Sequence, residues 1–88
     1  MENNYNEKWI LYFEEQVTEK IIPINISPEK TFMEAINLYK IRRFVPFSKD
    51  LKFIFNGKEL FPDLKIHKTG LFRNSRILVV SQNKLMGI

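Results

Sequence analysis

The chain has 88 residues, no cysteine and a formal charge of +4, and 44% of its residues are hydrophobic and 14% aromatic. That length allows one small domain, able to bury roughly 60–65% of its unfolded surface, and the composition is too apolar and aromatic for a disordered chain. The missing cysteines exclude a disulfide framework, a Cys-based zinc site and a thiol nucleophile, and the apolar runs are far too short for a bilayer-spanning helix.

The N-terminal stretch MENNYNEK, residues 1–8, is polar and partly acidic, and reads as a flexible leader with neither a signal-peptide nor a transit-peptide pattern. WILYFEE then alternates, with Trp9, Leu11 and Phe13 on one face and Ile10 and Tyr12 on the other. After the polar loop EEQVTEK, KIIPINIS alternates again, with Ile22, Ile24 and Ile26 on one face. These are two strands joined by a hairpin. Pro23 has no N–H for a ladder bond, so the second strand belongs at a sheet edge.

Thr31 and Glu34 have capping-box spacing. Phe32, Ala35, Ile36 and Tyr39 follow at i, i+3, i+4 and i+7, which predicts a helix over about residues 32–42. Lys40, Arg42 and Arg43 suit its C-terminal dipole, and Pro46 prevents its extension. Residues 51–55 predict a third strand, turned by Asn56-Gly57 into the short strand Lys58-Glu59. FPDLKIHKTGLF reads as a crossing segment with one short turn of helix. RILVV is the last strand, with Ile77 and Val79 inward and Leu78 and Val80 outward. One helix on one face of a mixed sheet satisfies every apolar face found, and this α+β arrangement is a β-grasp. The domain is expected to span residues 9–82, with residues 83–88 as a C-terminal tail.

In order and spacing, these segments resemble the ubiquitin family from about Trp9 to Met86. INISPEKTF resembles the family's strand end, proline and helix-opening threonine. VPF, from Val45 to Phe47, resembles its Ile-Pro-Pro turn. LKFIFNGKEL resembles Arg-Leu-Ile-Phe-Ala-Gly-Lys-Gln-Leu almost residue for residue. LKIHKTGLFRNSRILVV resembles the final segment, with Ile66, Leu71, Ile77 and Val79 at core positions. The resemblance implies a ubiquitin-like β-grasp. In ubiquitin an exposed isoleucine at the position of Ile54 forms a recognition patch with the position of Val80, and Leu78 falls where ubiquitin has a histidine. The third patch member, a hairpin-loop leucine, has no clear equivalent; Gln16 or Val17 is nearest. The expected protein-binding face therefore contains Ile54, Leu78, Val80 and Tyr12, with Ile10 a further candidate. Lys52 and Arg76 flank it and could select an acidic partner.

The resemblance also has departures. Family modifiers end in Gly-Gly, but the matching positions here are Leu85 and Met86, and Gly87 is followed by Ile88. The favoured expectation is thus a non-catalytic interaction domain. The alternatives are a covalent modifier conjugated through Gly87 after removal of Ile88, or a small structural subunit of a larger assembly. Lys58 matches a chain-building lysine of ubiquitin and otherwise reads as a solvated turn lysine.

No catalytic constellation is visible. His67 is the only histidine, Glu14 and Glu15 face opposite ways on a strand, and Ser48, Ser75 and Ser81 sit in no nucleophile-elbow context. Gly57, Gly70 and Gly87 are too scattered for a phosphate-cradling loop. No cofactor and no metal are expected. The basic residues are spread from Lys8 to Lys84, and Trp9, Phe13, Phe32, Tyr39 and Phe53 are all expected inward, with Tyr12 as the main outward ring. That leaves no stacking platform for nucleic acid. The expected partners are proteins, receptors of the ubiquitin pathway among them, with no nucleic acid and no membrane. The chain is expected to be monomeric and cytoplasmic or nuclear.

Overall fold

The structure, a computed structural model, describes residues 7–46 and 49–81. The expected tail, most of the expected leader, and Phe47 of the VPF turn fall outside the described residues. The elements in chain order are β1 (Trp9–Glu15), β2 (Ile21–Ile26), α1 (Phe32–Arg43), β3 (Leu51–Phe55), β4 (Lys58–Glu59), a 3₁₀ turn (Ile66–Lys68) and β5 (Arg76–Ser81). They form one five-stranded sheet in the order β2-β1-β5-β3-β4. β1 and β5 run parallel, and the other pairs are antiparallel. This is the mixed sheet with one helix that the sequence predicts.

Strand alternation places Leu11, Phe13, Ile24, Ile26, Phe53, Ile77 and Val79 on the face toward α1, where all are buried. The helix supplies Phe32, Ala35, Ile36 and Tyr39 to the same cluster. Four rings form its centre. Phe13 stacks on Tyr39 at 5.0 Å and on Phe32 at 6.1 Å, and Phe53 meets all three edge-on at 5.7–6.2 Å. Each such pair adds about 0.5–1.5 kcal/mol beyond the area it buries.

Local chemistry sets the boundaries of the elements. The Thr31 hydroxyl accepts from the Glu34 N–H (3.4 Å), and the Glu34 carboxylate accepts from the Thr31 N–H (3.5 Å), closing the capping box. Asn56 and Gly57 take φ of 57° and 81°, the paired left-handed values that a two-residue hairpin of this hand requires. Lys40, one turn from the helix end, is buried and donates from Nζ to the Lys49 carbonyl (2.9 Å), anchoring the chain that leads to β3.

Pro23 sits on edge strand β2, as expected. Odd-numbered residues of β1 bond toward β2 (Glu15 N–H to Lys20 O, 2.8 Å), while even-numbered residues bond toward β5 (Tyr12 N–H to Ser75 O, 2.9 Å). In this register Ile22, Ile24 and Ile26 face β1, and Ile21, Pro23 and Asn25 turn their backbone groups to the free edge. The absent N–H of Pro23 is therefore one that no strand of this sheet needs. Its carbonyl accepts from Arg42 Nη1 at 3.4 Å.

The end of α1 departs from preference. Phe44 caps the helix in the left-handed region, at φ 57° and ψ 37°, and the residue is 93% exposed. Its N–H bonds to Ile41 O (3.2 Å), and Val45 N–H bonds to Lys40 O (2.8 Å), so the backbone alone completes the cap. A β-carbon in this region costs roughly 1–2 kcal/mol, against about 0.5–1 kcal/mol for the extra unfolded-state freedom of glycine. Phe44→Gly is expected to stabilise the fold by about 0.5–1 kcal/mol and to raise the thermal midpoint by a few degrees, measured by calorimetry.

Candidate functional site

The face of the sheet opposite α1 is assembled from residues that alternate with the core. Cross-strand register aligns them in rows. One row runs Ile21, Glu14, Leu78, Ile54, Glu59 from β2 to β4. A second runs Pro23, Tyr12, Arg76, and a third pairs Val80 with Lys52. Ile54 and Leu78 are thus direct neighbours, with Val80 two residues along β5. Side chains opposed in this way have β-carbons about 4.5–5.5 Å apart and shield each other. Ile54, Leu78, Val80, Tyr12 and Lys52 are half-buried, Arg76 is exposed and Ile10 is 37% exposed.

The charges on this face are not equivalent. The Arg76 guanidinium is paired with the Glu14 carboxylate across β5 and β1, so much of its charge is answered within the sheet. Lys52 makes no ion pair among the described residues, and it lies beside Val80. Glu59 lies directly opposite Ile54. The apolar cluster therefore has a free cation on one flank and a carboxylate on the other.

Val17 lies in the β1–β2 loop with 64% of its surface exposed. It lines a cavity of about 170 Å³ together with Val45, Leu51 and Val79. Leu51 and Val79 are on the inner-face register, so Val17 stands at the helix side of the sheet.

The same end of the molecule holds a network that the sequence reading did not anticipate. Glu15 is on the inner-face register, opposite Val79. Its Oε2 accepts from the Tyr39 hydroxyl (2.7 Å) and from Arg43 Nε (2.7 Å), and its Oε1 accepts from Arg43 Nη2 (3.1 Å) and from the Thr18 hydroxyl. Burial pushes the Glu15 carboxyl up. The hydrogen bonds from Arg43, Thr18 and Tyr39, with the Arg43 charge, outweigh that and hold it at about 2. Burial, then the bond to Glu15, raises the Tyr39 hydroxyl well above its ordinary value. The available signal was the i, i+4 spacing of Tyr39 and Arg43 on α1 with an inward carboxylate at a strand end. His67 also gains a partner: its Nε2 is 3.6 Å from Glu29 Oε2, while Lys65 Nζ donates to Glu29 Oε1 at 3.2 Å. That cluster ties the turn before α1 to the 3₁₀ turn.

The search of solved structures gives many matches to this architecture. A structure described as "molecular mimicry of SUMO promotes DNA repair" aligns with TM-score 0.75 and 19% identity, over 84% of this chain and 91% of that one. The ubiquitin-like domain of an Arabidopsis thaliana protein aligns with TM-score 0.74 and 16% identity, over 86% and 79%. A de novo design based on ubiquitin aligns with TM-score 0.73 and 17% identity, over 85% and 89%. The fold is a ubiquitin-like β-grasp. No family model matches the chain, and no curated protein matches it. In this ubiquitin-like frame Ile54 and Val80 lie on the open sheet face. Among the described residues, no group of three or more His, Asp or Glu is placed to hold a metal ion.

The Glu15 network has a pH signature. Its folded-state pKa of about 2 lies below the ordinary 4.5, so its contribution is fully present above about pH 4.5 and is lost as pH falls toward 2. Glu15→Gln is expected to destabilise the protein by about 1–2 kcal/mol at pH 7 and to flatten the stability profile between pH 4.5 and 2. Urea unfolding followed across that range measures both effects.

Proposed function

We propose that the chain is a non-catalytic protein-interaction module that docks partners on the outer sheet face, with Ile54 and Val80 as central anchors. The observation that carries this reading is the direct pairing of Ile54 with Leu78 on the face that α1 leaves uncovered, continued by Val80. Apolar clusters open to water usually mark interaction sites, and a few anchors usually dominate such an interface. Tyr12 and Ile10 extend the contact area. Lys52 attracts an acidic group beside Val80, and Arg76 serves as a rim residue whose charge is shared with Glu14. The likeness to ubiquitin- and SUMO-related structures supports partners of the kind that recognise ubiquitin-like folds, bound reversibly by a small interface.

The test is titration of the labelled chain with a helical ubiquitin-binding domain, followed by amide NMR. Wild-type protein is expected to show perturbations at Lys52, Ile54, Leu78 and Val80. Ile54→Ala is expected to weaken binding at least tenfold while reducing stability by about 1 kcal/mol or less, because its side chain is only half-buried. Lys52→Glu is expected to weaken binding less and to remove part of its salt dependence. Unchanged affinity in Ile54→Ala would rule out the outer face. A mass shift in an activation assay after trimming of Ile88 would assign the chain instead to conjugated modifiers.

A further inference from the structure

Asparagines lie among the described residues at Asn25, Asn37, Asn56 and Asn74. An asparagine side chain is chemically labile when the next main-chain nitrogen can reach its carboxamide carbon. Three of these positions are guarded at that nitrogen. Leu38 follows Asn37 inside α1, where its N–H belongs to the helix ladder. Ile26 follows Asn25, is buried, and carries a branched side chain beside the nitrogen. Ser75 follows Asn74, is buried, and donates its N–H to Phe72 O (3.1 Å).

Asn56 differs on each count. Gly57 follows it, with no side chain to obstruct approach, and a β-carbon placed there would meet nothing within 4 Å. Both residues are exposed. Among the described residues the Gly57 N–H donates no backbone hydrogen bond, and the Asn56 carboxamide makes none. Bringing the nitrogen onto the carboxamide carbon requires a rotation of the Asn56 main chain. The strand that resists this rotation, β4, has two residues and lies at the sheet edge, and short edge segments open at low free-energy cost.

We propose that Asn56-Gly57 is a site of spontaneous deamidation that edits the β3–β4 hairpin. The Gly57 nitrogen gives its proton to hydroxide and bonds to Asn56 Cγ. The Cγ–Nδ2 bond then breaks, and ammonia leaves with a proton from water, so that a five-membered succinimide joins the two residues. Water next adds to one imide carbonyl and breaks its bond to the Gly57 nitrogen, which regains a proton. Opening at Cγ leaves aspartate, and opening at the main-chain carbonyl leaves isoaspartate. Water has replaced ammonia, no oxidant or reductant is consumed, and the formal charge falls from +4 by one unit.

The fold separates the two products. Asp-Gly suits the same turn as Asn-Gly, so the aspartyl chain keeps Phe55 opposite Lys58 and Ile54 opposite Glu59. In the isoaspartyl chain the main chain runs through the former side chain and is longer by one methylene. Loop length fixes the register of a hairpin, so β4 cannot then hold both pairs.

The test incubates the full chain in mildly alkaline buffer made with heavy-oxygen water and maps its peptides by mass spectrometry. Asn56 is expected to convert at least tenfold faster than Asn25, Asn37 or Asn74, with one heavy oxygen entering at that residue. Asn56→Gln is expected to stop conversion at the turn, because its longer side chain closes a six-membered ring slowly. After chromatographic separation of the products, amide NMR is expected to show the β4 pairing kept in the aspartyl chain and in Asn56→Asp, and lost in the isoaspartyl chain. The proposal is overturned if Asn56 stays intact in the folded chain while the urea-unfolded chain converts there, or if another described asparagine converts first. It is also overturned if the isoaspartyl chain keeps Phe55 paired with Lys58.

Discussion

The contact on which the structure depends is the stack of Phe13 between Phe32 and Tyr39, closed edge-on by Phe53. It joins strands β1 and β3 to both ends of the buried helix stripe. A domain this small has few other places to gain comparable dispersion and burial. The rings also fix the roll of α1 about its own axis. With Phe32 and Tyr39 turned inward, Arg43 comes within reach of Glu15, and Leu38 and Ile41 are left outside at 42% and 59% exposure. The inner side of the sheet is therefore occupied by the core, and among the described residues no helix covers the apolar residues on its other side.

Much of this was legible because it is periodic or local. Alternation in WILYFEE and RILVV identifies the face of each residue, and the structure keeps every such assignment in the core. The capping box and the Asn-Gly turn involve residues adjacent on the chain, and the helix runs one residue beyond its expected end, to Arg43. What the sequence conceals is pairing at long range. Alternation shows that Glu14 and Glu15 point to opposite faces. It does not show that Glu14 meets Arg76, 62 positions later, or that Glu15 meets Tyr39 and Arg43 at separations of 24 and 28. Those contacts follow from strand register, which is known only once the sheet is assembled. The same applies to His67, whose carboxylate partner Glu29 lies in a different loop. The exposure of Phe61 and Phe72 was hidden for another reason: each follows a buried leucine in an irregular segment, where no period tells the buried member from the exposed one.

The two carboxylates at the end of β1 divide the electrostatics of the domain. Glu15 works inward, holding the hairpin loop to the C-terminal turn of the helix through a forked Arg43 contact. Glu14 works outward and shares its charge with Arg76. Adjacent residues with the same side chain thus perform unrelated tasks, one stabilising the fold and the other tempering the surface. Lys52 is left as the cation that a visitor to Ile54 and Val80 would feel.

The edge at β2 carries a further consequence. An open sheet border is a template on which another chain can lay down a strand, and such growth is the root of fibre formation. Here the border is interrupted at its middle, because Pro23 offers no donor and its carbonyl is already answered by Arg42 from the helix. An intruding strand would find its hydrogen-bond ladder broken after a single residue on either side. A positive guanidinium would stand over the gap. The domain can thus expose a good deal of apolar surface elsewhere and still resist stacking into polymers through its flank.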